Sequence, residues 1–356
     1  MKRGNIKRYI NIVIFIGVNI LPVVKRFKNF DYFRGLAIIA VILIHITAPI
    51  TGQTEAGKDL NIEPSVLAIV LNQLSRFAVP IFLLLSGWGL DMADAYGRSD
   101  SYVEFIWSRL KKIWSTYLIW NVVYALINFP LKGEPISILQ FLLNILRGSN
   151  SYHLYFVPLI TVLYLLYPVL SYIALNRLLM FSFVGVFIIQ HIGDYWWPFI
   201  PYDQWQHFYT YTFFFVIGIW FSNCFEEKIK CFSKYKFIIY FILVISALLV
   251  AGESIVNDGM IVATTRPFVT IYSLALFLSV ALTNNGISEF WEKILSTLGE
   301  HSYDIYLSHV LTLIIIEWLL RYSFLSFYPT LYILVAFTVI VWIYFIGKRM
   351  QYKIIG

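Results

Sequence analysis

Apolar runs about one membrane thickness long recur along the whole chain, separated by short polar stretches that carry most of the charge. A helix needs roughly 20 mainly apolar residues to cross the hydrocarbon core, where every backbone polar group must be satisfied internally. Ten segments fit: 34–50, 65–90, 113–130, 153–175, 178–193, 207–223, 236–251, 266–283, 302–320 and 328–347. The pattern predicts an all-α polytopic membrane protein of about ten transmembrane helices. A further apolar stretch, 136–146, is too short to span and is expected along the outer surface or as a re-entrant segment.

Charge then orients the helices. Of the 27 Lys and Arg, twenty fall in segments on one side of the ten-helix arrangement and five on the other, with only Arg34 and Arg76 inside helices. Basic loops stay cytoplasmic, so both termini are expected inside. The chain is 59% hydrophobic and 13% charged, with a mean hydropathy of +0.73. A soluble domain carries about a quarter charged residues. The net charge of +7 follows the loops, so the partner it implies is the lipid bilayer and not nucleic acid. Residues 1–33 form a basic and apolar N-terminal segment, expected to be interfacial. Residues 34–347 form one transmembrane domain, and 348–356 a short cytoplasmic tail. Cys224 and Cys231 share one loop without the His or Cys neighbours of a zinc site, and no metal is expected.

The polar residues inside the apolar runs carry the chemistry. Past its first turn, the stretch FDYFRGLAIIAVILIHITAPI holds two ionisable groups, Arg34 and His45. Eleven residues on a helix return to nearly the same face about 16 Å further along the axis. One stripe therefore carries a cation near the inner edge and an imidazole at mid-depth. Ionisable groups inside hydrocarbon are functional candidates, although either residue alone also fits a snorkelling Arg or a His bonded to a neighbouring helix. The second segment contains Asn72, Gln73, Ser75 and Arg76 before Pro80, which should kink the helix, and Ser86-Gly87 near its inner end suggests close backbone approach. His153 opens the fourth segment at the outer mouth. In the ninth, HSYDIYLSHVLTLIIIEWLL, Tyr306 sits one turn from His309, which reaches the depth of His45. Glu317 is expected to pair with Arg321 at i+4. The aromatic loop 194–207 fits an interfacial belt or a sugar-stacking platform.

Several of these landmarks, in this order, resemble the integral-membrane acyltransferase type 3 family. They are Arg34-Gly35 with His45 eleven positions after the Arg, RFAVPIFLLLSG (76–87), SYHLYFVPLITVLYLLYP (151–168), FFFVIGIWFS (213–222) and HSYDIYLSHV (301–310). The resemblance implies transfer of an acyl group, acetyl above all, from cytoplasmic acyl-CoA to a hydroxyl of an extracytoplasmic carbohydrate or cell-wall acceptor. It implies a bacterial plasma membrane, with no bound cofactor and acetyl-CoA or another acyl-CoA as co-substrate. It gives His45, Arg34 and His309 catalytic roles. Arg76, His153, Tyr306 and Ser86 are expected to bind substrate. A neutral His suits the base that acyl transfer to a hydroxyl needs, and an Arg suits a coenzyme A phosphate. A glycan exporter with the same helices is the alternative, although no internal repeat is visible.

Overall fold

The computed structural model describes residues 29–51, 65–95, 101–132, 137–196, 208–257, 265–283, 288–320 and 330–341. Among them there is no strand, and each of the ten expected segments is helical. In chain order the helices are α1 (Asn29–Thr47), α2 (Val66–Leu74), α3 (Ala78–Ala95), α4 (Tyr102–Lys132), α5 (Ile138–Arg147), α6 (Phe156–Leu165) and α7 (Tyr167–Leu175). They continue with α8 (Arg177–Trp196), α9 (Phe208–Ser222), α10 (Phe225–Ser233), α11 (Lys236–Val256), α12 (Pro267–Leu282), α13 (Glu289–Glu300) and α14 (Ser302–Leu320). The last is α15 (Thr330–Val341). Among the described residues three runs are long and apolar enough to cross a membrane, Phe30–Thr51, Val66–Ala95 and Lys236–Val256, and two bent pairs meet the same measure if each is one span. The protein is an all-α polytopic membrane protein.

The departures from the sequence pattern have local causes. The second apolar run breaks into α2 and α3 at Ser75-Arg76-Phe77. Pro80 has no N–H for the Arg76 carbonyl, and the preceding turn tightens, with the Ala78 N–H donating to the Ser75 carbonyl at 3.1 Å. The fourth run begins with an irregular turn at 151–155, so His153 precedes the helix instead of opening it. That run then bends by 67° between α6 and α7. Pro168 cannot donate to the Tyr164 carbonyl one turn back; the Tyr102 hydroxyl takes over, donating to the Tyr164 and Leu165 carbonyls at 2.8 and 3.2 Å. α4 starts eleven residues before the expected segment, so Arg109, Lys111 and Lys112 lie on a helix, with no Gly or Pro before them to stop it.

Two helices occupy segments expected to be loops. α10 turns 99° from α9. At that corner Cys224 adopts φ 58°, and the Lys228 ammonium donates to the Trp220 and Asn223 carbonyls at the end of α9. α13 is amphipathic and buries Leu295 and Leu298 against α1.

α1 is the centre of the bundle: 67% of its most apolar window is buried in protein, against 22% for α11, which leaves α11 facing lipid. α1 packs on α2, α3, α13 and α14. Small residues permit the closest crossings. A Cβ on Gly35 would stand 1.9 Å from the Leu295 carbonyl oxygen, and one on Gly299 1.8 Å from that of Asp31. α3 and α9 meet in the same way at Gly87 and Gly218, so the expectation of close approach at Ser86-Gly87 holds.

Residues 1–28 and 342–356 lie outside the described residues, as do most of the aromatic loop and Arg321. The N-terminal segment, the cytoplasmic tail, the sugar platform and the Glu317–Arg321 pair therefore lie wholly or partly outside them.

Candidate active site

Position along a helix fixes depth, and the packing of α14 on α1 decides whether two groups at one depth meet. His45, near the end of α1, and His309, two turns into α14, do meet: their ring centroids are 5.0 Å apart with the planes inclined by 36°. His153 joins from the turn before α6, with its ring 5.2 Å from that of His309 and edge-on to it. Tyr152 covers His45 at 5.0 Å and is 54% exposed, forming the open edge of the cluster. Tyr124 and Tyr306 pack against His153 at 5.0 and 5.5 Å. His309 and His153 are 1% and 2% exposed. Among the described residues no group of three or more His, Cys, Asp or Glu is placed to hold a metal ion.

The helix itself selects the tautomer of His309. Its Nδ1 lies 2.7 Å from the Tyr306 carbonyl and 3.2 Å from that of Ile305. Carbonyls only accept, so Nδ1 carries the proton and Nε2 presents a lone pair. That Nε2 is buried with no hydrogen-bond partner among the described residues. The Tyr306 hydroxyl donates to the His153 carbonyl, and the Tyr124 hydroxyl donates to the Leu307 carbonyl at 2.7 Å, so α4, α14 and the 151–155 turn are tied together around the imidazoles.

A second set of bonds holds the other flank. Arg76 donates from Nε and Nη2 to Asn72 Oδ1 at 3.1 and 2.5 Å. Asn72 Nδ2 in turn donates to the Ile44 carbonyl and the Thr47 hydroxyl oxygen, both at 2.9 Å. Ile44 and Thr47 bracket His45 on α1, so Arg76 and His45 belong to one polar unit.

Arg34 and Ser86 lie elsewhere. Arg34 is in the first turns of α1, over the Phe30 ring at 5.4 Å and 3.5 Å from Asp31 Oδ1, with 37% of its side chain exposed. Tyr164 of α6 lies beside Ser86 and within the fields of Arg34 and Arg109. Five of the seven expected residues, His45, His309, His153, Tyr306 and Arg76, thus gather near one end of α1, with Arg34 about 16 Å away along that helix. Ser86, on α3, faces Tyr164 on the Arg34 side.

Sequence reasoning passed over Tyr124, Tyr152 and Thr47. Tyr124 is fully buried, as are Tyr117 and Asn121 earlier on the same helix, and this recurrence of polar groups on one face was the available signal. The charge of Glu317 is felt at Tyr152 and Tyr332, a neighbourhood of α14, α15 and the 151–155 turn that spacing along one helix does not reveal.

Comparison with known proteins shows the family. Residues 27–348 match the model of a family described as an acyltransferase domain. A Bacillus subtilis (strain 168) protein named "Putative membrane-bound acyltransferase YfiQ" is 21% identical over 313 residues, which cover 82% of each chain. No solved structure matches. The match spans all the helices that build the histidine cluster, and the chain belongs to this acyltransferase family, the acyltransferase type 3 membrane enzymes.

Proposed function

We propose that the enzyme is a multi-pass protein of the bacterial plasma membrane that moves an acyl group, acetyl in the first instance, from cytoplasmic acyl-CoA to a hydroxyl of an extracytoplasmic carbohydrate or cell-wall acceptor. The observation that carries this reading is the contact between His45 and His309, with the His309 tautomer set by the Tyr306 carbonyl.

Transfer from a thioester to a hydroxyl needs a base for the hydroxyl proton and donors for the developing oxyanion. His45 takes the proton of the acceptor hydroxyl, and His309, with its Nε2 lone pair beside it, serves the same proton transfer. The hydroxyl oxygen attacks the thioester carbonyl carbon, the carbon–sulfur bond breaks, and the coenzyme A thiolate leaves and takes up the proton. Arg76 holds the acyl carbonyl or acceptor oxygen next to His45. His153 and Tyr306 shape the pocket from the outer side. At the inner end, Arg34 binds a coenzyme A phosphate, and Ser86 lines the path from there toward the histidines. The exposed flank at Tyr152 gives the acceptor its approach.

The test is cellular. Ester content of purified surface polysaccharide is measured by mass spectrometry in cells with the wild-type gene, with His45→Ala and with no gene. Loss of the same ester in the mutant and the null supports the reading and names the acceptor. Esters retained by a stably expressed His45→Ala protein would remove His45 from the chemistry and refute it.

A further inference from the structure

The bonds around Arg76 do not end at Asn72. Arg266, in the cap position of α12, is 6% exposed and donates from Nη1 to Glu253 Oε2 of α11 at 2.6 Å. From Nη2 it donates to Gln73 Oε1. Gln73 Nε2 faces Asn72 Oδ1 at 3.4 Å. A continuous buried path therefore runs from Glu253 through Arg266, Gln73 and Asn72 to the backbone beside His45.

The path has a direction. A guanidinium only donates. Arg266 therefore forces the amide oxygen of Gln73 toward itself and the amide nitrogen toward Asn72. Arg76 does the same to Asn72, whose nitrogen must then point at the Ile44 carbonyl and Thr47. Each amide has one orientation that satisfies both neighbours, so the two arginines settle amide directions that an isolated Asn or Gln leaves open. Gln73 and Asn72 are fully buried, and reversing either would set like partners against each other where no water relieves the cost.

We propose that Gln73 and Arg266 are positioning residues of the acyltransferase, which act through Asn72 to fix the end of α1 and hence the aim of His45 and Arg76. This rests on the reading of His45 given above. Reaction rates fall about a hundredfold for a misplacement of roughly 1 Å. The donor, in contrast, is held about 16 Å away along α1 at Arg34, out of reach of a change at Gln73.

The test is transfer by the purified full chain in lipid nanodiscs, from acetyl-CoA to a soluble oligosaccharide of the acceptor, per mole of folded protein. Gln73→Glu keeps size and the bond to Arg266, but sets a carboxylate oxygen against Asn72 Oδ1 where a donor stood; Arg76 does not let the Asn72 amide turn, so Asn72 is pushed away and its hold on Ile44 is weakened. The expected result is a kcat lower by about tenfold or more, with the acetyl-CoA KM within about twofold of wild type. Wild-type kcat, or a change confined to the acetyl-CoA KM, would overturn the proposal. Should Gln73→Glu fail to fold, Arg266→Lys decides: it keeps a cation opposite Glu253 but cannot span both partners. A lowered kcat at constant acetyl-CoA KM supports the proposal and an unchanged kcat overturns it. An active His45→Ala protein refutes the reaction assignment, whereas an inactive His45→Ala beside an unaffected Gln73→Glu refutes the positioning role alone.

Discussion

The His45 and His309 rings, carried by α1 and α14, stand 5.0 Å apart, and the His309 Nδ1 is 2.7 Å from the carbonyl of Tyr306 one turn earlier. A helix backbone thus sets the protonation of one imidazole while the packing of α14 on α1 delivers the other. His309 needs no acidic residue to fix its tautomer.

If the two imidazoles serve one proton transfer, their losses will not add. A positioned general base contributes about 10²–10⁴-fold. His45→Ala and His309→Asn are each expected to lower kcat by about 10²-fold or more; Asn places an amide nitrogen where Nδ1 was and keeps the bond to Tyr306. The double variant is expected within about tenfold of the weaker single, as for residues that act as a unit. Multiplying losses in a kinetic double-mutant cycle would show that the two histidines act independently.

The helix crossing between α3 and α9 makes a separate prediction about stability. A Cβ at Gly218 would lie 1.9 Å from the Leu84 carbonyl oxygen, which belongs to a helix backbone and cannot swing aside. Gly218→Ala is expected to destabilise by about 1–3 kcal/mol through overpacking. At Gly252, inside α11, an added Cβ meets nothing within 4 Å. Gly252→Ala is expected to be neutral or to stabilise by up to about 1 kcal/mol through helix propensity. Thermal unfolding of the two variants in detergent, side by side, checks both signs.

Much of the site was legible because depth in a membrane is a linear coordinate. His45 lies eleven residues past Arg34, and His309 seven past Ser302; both spacings convert directly into depth. The apolar runs located the helices for the same reason. What the pattern could not show was azimuth and anything off a helix. His153 reaches the cluster from an irregular turn, where residue spacing predicts no direction. Arg266 looked like one of five basic residues on the outer side until α11 and α12 brought it to Glu253 and Gln73. α13 begins with Glu289 and Glu292 and read as a loop, since its one apolar face is matched to α1 and not to lipid.

The bend between α6 and α7 depends on a hydroxyl from another helix. Tyr102 donates to the Tyr164 carbonyl at 2.8 Å, the group that Pro168 leaves without a helical donor. Tyr102→Phe removes that donor and keeps the ring. The expected cost is about 0.5–1.5 kcal/mol, the net worth of an ordinary hydrogen bond, since the site is exposed. Pro168→Ala restores an N–H at the right place, so the double variant should recover part of the loss. A double variant no more stable than Tyr102→Phe would mean that the hydroxyl does not stand in for the missing N–H.

Tyr306 offers a way to separate what a side chain does from what its backbone does. Its carbonyl accepts from His309 Nδ1, while its hydroxyl donates to the His153 carbonyl. Tyr306→Phe deletes the second bond and leaves the first, so the His309 tautomer is retained and only the 151–155 turn is loosened. The expected outcome is a fall in kcat smaller than about tenfold, well short of the loss at His309 itself. With the donor at Arg34, as proposed above, the acetyl-CoA KM is expected to stay constant. The turn carries Tyr152 at the open edge of the cluster and His153 behind it, so the KM for the acceptor is where the variant should register, with a rise of several-fold. Steady-state kinetics with each substrate varied in turn would separate the cases. A hundredfold loss of kcat would place the Tyr306 hydroxyl in the chemistry, and a change in the acetyl-CoA KM would mean that the donor reaches further toward α14 than Arg34 suggests.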